Sequence, residues 1–304
     1  MKPEHNAFLL LWEVPLRNYE LRDDVAVAEP MASLFDTKDR GPGPWVVERQ
    51  PRGMPREVRR YAPLAHETLH RDFAALHGKD DKAFYRFANK YGHLGHGQHL
   101  VVEGVARQPL LVGESLGMWR RECRELRQLL DLWDLTRSAT GSAMAAAPDL
   151  RKCIVWDMGP PLSVSVEWSD RINAEVAEGE IIAWRARPEH DDLGKNAAAL
   201  AMWMPGDPVA PAQFYVRDRV NRALHGEASP IVSPYGGSEL AIRPHSLLAA
   251  FYVLFASELL GRVRDLRQCE HCRAYFYPAR SDQRYCGVSC RKKADYRRKK
   301  EGAR

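Results

Sequence analysis

From Leu116 to Thr136 apolar residues return three and four positions apart, at Leu116, Trp119, Cys123, Leu126, Leu130 and Trp133, with Arg and Glu between them. That spacing lays one apolar stripe along an α-helix and leaves the charged face to water. The same period runs from Leu64 to Tyr91, where Leu69, Phe73, Leu76, Phe84, Phe87 and Ala88 form two stripes separated by the turn "HGKDD". Shorter runs rich in β-formers predict strands at Phe8–Val14 and Trp45–Glu48, bounded by "RGPGP" and "QPRGMP".

After "SATGSAMAAAPD", which reads as a linker or a poorly specified helix, three strand-like runs follow: "CIVWD", "SVSVEW" and "EIIAWRA". "QFYVRDRVNRAL" predicts a helix, and "PIVSPYGGSELAIRP" a hairpin turning at Gly236 and Gly237. Ser246 is placed to cap the apolar helix Leu247–Leu260, which leads into the last segment of the chain. The pattern predicts an α+β body over residues 1–261, divided into two lobes near 138–150, and a separate basic domain over 262–304.

Composition narrows the class. The chain has 304 residues, enough for one large core or two ordinary domains, and its 45% hydrophobic and 28% charged content excludes a disordered chain. No apolar run reaches the roughly 20 residues that span a bilayer. The longest, around Leu247–Phe255, meets Ser257 and Glu258, and Phe8–Trp12 is too short for a signal-peptide core. The expectation is a cytoplasmic protein with no membrane partner, whose thiols stay reduced.

Charge is distributed unevenly. Residues 262–304 hold 14 Lys and Arg against 5 Asp and Glu, whereas the other 261 residues hold 31 against 35. A mildly acidic body therefore ends in a segment of charge +9, which predicts a polyanionic partner there.

Four of the six cysteines lie in that segment, as Cys269-x2-Cys272, thirteen residues, then Cys286-x3-Cys290. Two thiolate pairs on short spacers suit the tetrahedral preference of one Zn²⁺. Two disulfides or four unrelated thiols are the alternatives. "CEHC" would form a knuckle and "RAYFYPARSDQRY" a hairpin with Phe276 over the metal. Cys286 and Cys290 would then stand at a helix start, the layout of a treble clef. Four thiolates leave no position for water or substrate, so the predicted zinc is structural. His271, inside the knuckle, is expected to face solvent rather than the metal.

Arg291, Lys292, Lys293, Arg297, Arg298, Lys299 and Lys300 follow on that helix, and Arg280 and Arg284 extend the basic surface. The predicted partner is nucleic acid, DNA in preference to RNA. A solubilising C-terminal helix is the plainer reading of the same residues.

The stretch "CEHCRAYF…RSDQRYCGVSCRKKADYRR" resembles the C-terminal zinc finger of CGNR-type bacterial proteins, whose upstream region is called the ABATE domain. The resemblance centres on residues 245–300, and "SCRKK" stands where that family carries its CGNR sequence. It implies zinc ligation by Cys269, Cys272, Cys286 and Cys290. It also implies a stress-related transcription regulator. The body over residues 1–261 is then expected to sense a small-molecule effector, contact a protein partner or form a homo-oligomer. The alternative class is an enzyme or protein-interaction module that the zinc finger only braces.

Other motifs point elsewhere. "HETLH", His66 to His70, matches the HExxH of zinc proteases, with Glu67 as base, but reads better as an ordinary helix whose Leu69, Phe73 and Leu76 face a core. "HLGHGQH" brings His93, His96 and His99 into a Gly-rich stretch and reads as a solvated loop in preference to a metal or phosphate site. Cys123 and Cys153 read as small core residues, and the tryptophans with Met202 and Met204 as core or pocket lining. Neither a GxxxxGK[ST] loop nor a GxSxG elbow occurs.

Overall fold

The computed structural model describes residues 10–23, 25–27, 44–49, 57–96, 99–103, 111–139, 147–158, 163–166, 182–185, 203–232, 240–261, 267–272, 275–276, 278, 280 and 282–301. Helix and sheet are mixed, and the chain divides into two units: Met1–Arg124 with Ala223–Arg304, and Glu125–Arg222.

In the first unit, strands β1 (Trp12–Pro15), β2 (Tyr19–Arg22), β3 (Val25–Val27), β4 (Trp45–Glu48) and β5 (Val58–Tyr61) precede helices α1 (Leu69–Ala74) and α2 (Asp81–Tyr91). Strands β6 (His99–Glu103) and β7 (Leu111–Ser115) and the start of helix α3 (Leu116–Ala139) follow. An antiparallel sheet has the order β2-β4-β7-β6-β3, and β1 pairs separately with β5. β4 lies inside that sheet and buries all four of its residues, including Glu48, as a strand covered on both faces must.

The second unit contains the rest of α3, helix α4 (Ala147–Cys153), an antiparallel meander of β8 (Ile154–Asp157), β9 (Ser163–Val166) and β10 (Ile182–Arg185), and most of helix α5 (Val209–Leu224). The chain then re-enters the first unit with the hairpin β11 (Ala228–Val232) and β12 (Leu240–Pro244), helix α6 (Leu247–Leu259), the short pair β13 (Arg267–Gln268) and β14 (Tyr275–Phe276), and helix α7 (Val288–Glu301). No helix among the described residues is long and apolar enough to cross a membrane.

Helix ends follow their capping residues. Asp80 accepts from Ala83 N at 3.0 Å to open α2, and Ser246 accepts from Ala249 N at 3.0 Å to open α6. Every residue from Leu247 to Phe255 is buried, so α6 is apolar all round and forms the centre of the core. Phe251 packs its ring 4.9 Å from that of Phe73 on α1, which lies 5.5 Å from Phe87 and 6.0 Å from Trp119. Burial of such side chains contributes about 2–3 kcal/mol each. Cys123 closes this cluster from α3, its thiol 3.2 Å from Phe73 O, and is the small core residue its stripe predicts.

Several boundaries differ from the sequence pattern. β1 begins at Trp12 rather than Phe8; Phe8 and Leu9 lie outside the described residues, and Leu11 is exposed. The helical stripe from Leu64 opens with a 3-10 turn at Pro63–Ala65, and regular helix starts only at Leu69. α5 starts at Val209, before "QFYV", because the Asp207 carboxylate accepts from Val209 N at 2.8 Å. Cys153 ends α4 half-buried instead of opening a strand. Met204 lies in a turn closed by Asp207 N on Met204 O and is exposed, not core; Met202 and the Gly236–Gly237 turn lie outside the described residues.

The largest correction concerns "HLGHGQH". Gly92, His93 and Leu94 are buried, not solvated. The Glu114 carboxylate, itself buried, accepts from Leu94 N, Gly95 N and Trp119 Nε1, each at 2.8 Å. His93 Nε2 lies 2.9 Å from Val46 O, and Leu94 O accepts from Leu248 N at 2.9 Å, which ties the segment to β4 and α6. The glycines serve close approach: a Cβ on Gly95 would lie 2.4 Å from the Trp12 ring, and the backbone there has φ +76°. His99 lies on β6, and residues 97–98 are outside the described set.

Candidate metal centre

β13 and β14 pair antiparallel, Gln268 opposite Tyr275, so the Cys269–Cys272 knuckle forms the connection of that hairpin. The sequence pattern had placed the hairpin after the knuckle; Tyr275–Phe276 instead pairs backward across it. The chain then turns at Arg280–Gln283, where Gln283 N donates to Arg280 O, and returns so that Glu270 N donates to Arg284 O. This return delivers Cys286 to the knuckle immediately before α7, and Cys290 lies one turn further on, within the first turn of that helix.

The four sulfurs lie within 4.8 Å of one another. Cys272 Sγ is 3.6 Å from Cys286 Sγ, which is 3.5 Å from Cys290 Sγ, and all four cysteines are free thiols. Sulfurs at tetrahedral corners about 2.3 Å from a central Zn²⁺ would be about 3.8 Å apart, so the cluster has the size of a four-sulfur metal site. Among the described residues, these four cysteines form the one group of three or more metal-ligating side chains able to hold an ion.

Cys269 and Phe276 are buried, Cys290 half-buried, and Cys272 and Cys286 exposed. Burial raises the Cys269 thiol, but backbone N–H groups of Cys272, Cys286 and His271 stabilise its thiolate and hold it down to about 6. Burial and the hydrogen-bonding thiols of Cys290, Cys272 and Cys269 push Cys286 up. Four thiols this close cannot all ionise together unless a cation compensates them. His271 is half-buried, and the four sulfurs cluster without it.

The basic residues fall into three groups. Arg291, Lys292, Lys293 and Arg297 are exposed on α7; Arg298, Lys299 and Lys300 continue it, their side chains outside the described set. Arg284 is paired with Glu270 at 2.5 Å, and Arg280 lies 3.7 Å from Asp282.

"HETLH" does not form a metal site. His66 lies ahead of α1, its ring against Tyr61 and Tyr91, whereas His70 is buried on α1 with Nε2 3.1 Å from Glu258 Oε2. Arg71 Nε donates to the same oxygen at 3.0 Å, and the guanidinium also bonds Glu258 Oε1. This buried group escaped the sequence reading. Its signal was present: Glu258 is a carboxylate at the end of an otherwise apolar helix, where a charge stays only if it is paired.

No family model, curated protein or solved structure matches the chain.

Proposed function

We propose that the protein binds nucleic acid, DNA in preference to RNA, through a C-terminal module organised by one structural Zn²⁺, as a transcription regulator of the kind the CGNR resemblance implies. One observation carries this reading: a four-sulfur cluster of tetrahedral size sits at the start of a helix that bears seven Lys and Arg in fourteen residues. About 40 residues cannot bury enough core to fold unaided, so the metal fixes the knuckle, the return and the helix start together in a treble-clef arrangement. Fixing that start holds the cations of α7 in one place, where they replace counterions on a phosphate backbone. The 1–261 body would sense an effector or partner in the cytoplasm.

The experiment is a titration of the full chain with fluorescent duplex DNA over a salt series, with and without a zinc chelator, alongside elemental analysis. The expected results are about one zinc per chain, log affinity falling with log salt by about 0.9 per phosphate contacted, and loss of binding on chelation. A metal-loaded protein that binds no duplex even at low salt would make the module a structural brace or protein-docking element.

A further inference from the structure

Helix α7 has two unlike faces. Cys290 and Ala294, four residues apart, are half-buried and mark the metal side. An advance of about 100° per residue puts Val288, Lys292 and Tyr296 in one row on the opposite side, with Asp295 beside it. Val288 is 63% exposed and Tyr296 71%, and Lys292 and Asp295 are exposed as well. Arg291 borders the row on one flank and Lys293 on the other, both exposed. A helix that only neutralises phosphates has no use for two large solvent-facing side chains, Val288 and Tyr296, on its outward face. A helix seated in a groove does: the flanking cations meet the phosphate walls, and the central row meets the floor.

We propose that α7 is a reading helix, its Val288–Lys292–Tyr296 row directed at base edges in the major groove of duplex DNA; the inference rests on the nucleic-acid reading above. The occupant is B-form DNA because its major groove, about 12 Å wide, admits an α-helix, whereas that of A-form RNA is too deep and narrow. Each member of the row has a counterpart there. Val288 and the Tyr296 ring suit thymine methyl groups, and the Lys292 ammonium suits guanine O6 and N7.

The test uses the full chain, selected against duplex DNA with a randomised centre and then titrated with the enriched sequence and the random pool. The wild type is expected to prefer the enriched sequence by about tenfold or more. Val288→Ala with Tyr296→Ala should keep pool affinity within about twofold, with an unchanged salt slope, and lose most of that preference. Tyr296→Lys should bind the pool more tightly and likewise lose preference. Both positions are exposed, and an unchanged melting curve confirms that neither variant acts through folding. The inference is overturned if the double variant keeps the wild-type preference, if selection enriches nothing while pool binding persists, or if an RNA duplex competes as well as DNA. In the first two cases salt-dependent binding, and so the broader reading, would stand; in the third, nucleic-acid binding would stand and its preference for DNA would fall. A wild type that binds no duplex at all removes both.

Discussion

Glu258 is a buried carboxylate whose placement is costly if its partners are lost. Burial alone would raise its carboxyl, but hydrogen bonds from His70 and Arg71 and the Arg71 charge outweigh that and hold it at about 2, below its ordinary 4.5. A carboxyl depressed on folding stabilises the native state fully above about 4.5, and loses that contribution as pH falls toward 2. Glu258→Ala should cost about 3–5 kcal/mol at neutral pH, because it strands a buried guanidinium. In urea melts the gap between wild type and variant should close progressively between those two pH values; a constant gap would contradict the pairing. At the candidate metal centre the matching substitution is Cys286→Ser, expected to abolish the one zinc per chain that elemental analysis of the wild type should find. Gly95→Ala, at positive φ and against Trp12, should destabilise by more than about 1 kcal/mol, and by less in a Trp12→Ala background.

Among the elements, α7 carries the clearest test. Replacing Arg291, Lys292, Arg298 and Lys299 by Glu changes its charge by eight without touching a sulfur ligand. DNA binding should vanish while zinc content stays the same; retained affinity would move the contact to another surface. What the sequence discloses at this scale depends on whether one period dominates. α2 and α3 show one strong helical period, and α6 and β4 are continuous apolar runs; each falls within about three residues of where that pattern puts it. The cysteine spacing brings its four sulfurs together for the same reason, since every constraint is local. His93–Gly95 was misread because glycine and histidine look alike in a loop and in a tight crossing. Partners distant in the chain distinguish them, such as Trp12, 81 residues away and donating to His93 O, and Glu114, which accepts from Leu94 N and Gly95 N. The pairing of β14 with β13 is likewise set by the closing of the knuckle rather than by any feature of "RAYFYPARSDQRY".

For the molecule as a whole, the proposed metal and the core would stabilise different regions. The aromatic cluster of Phe73, Phe87, Trp119 and Phe251 is built without the four clustered cysteines. Chelation should therefore leave the main cooperative melting transition in place while removing the helical signal of α7 and exposing 262–304 to protease. A loss of the main transition on chelation would show that the two are coupled. The bond between α1 and α6 has a different consequence, one of timing. Arg71 and Glu258 are 187 residues apart. At about 5–20 residues per second, roughly 10–40 s of synthesis separates them. Throughout that interval α1 carries a cation and apolar side chains that cannot yet be buried together. All of Glu125–Arg222 is made meanwhile, so the unit that starts the chain completes its core only after the other has been synthesised in full.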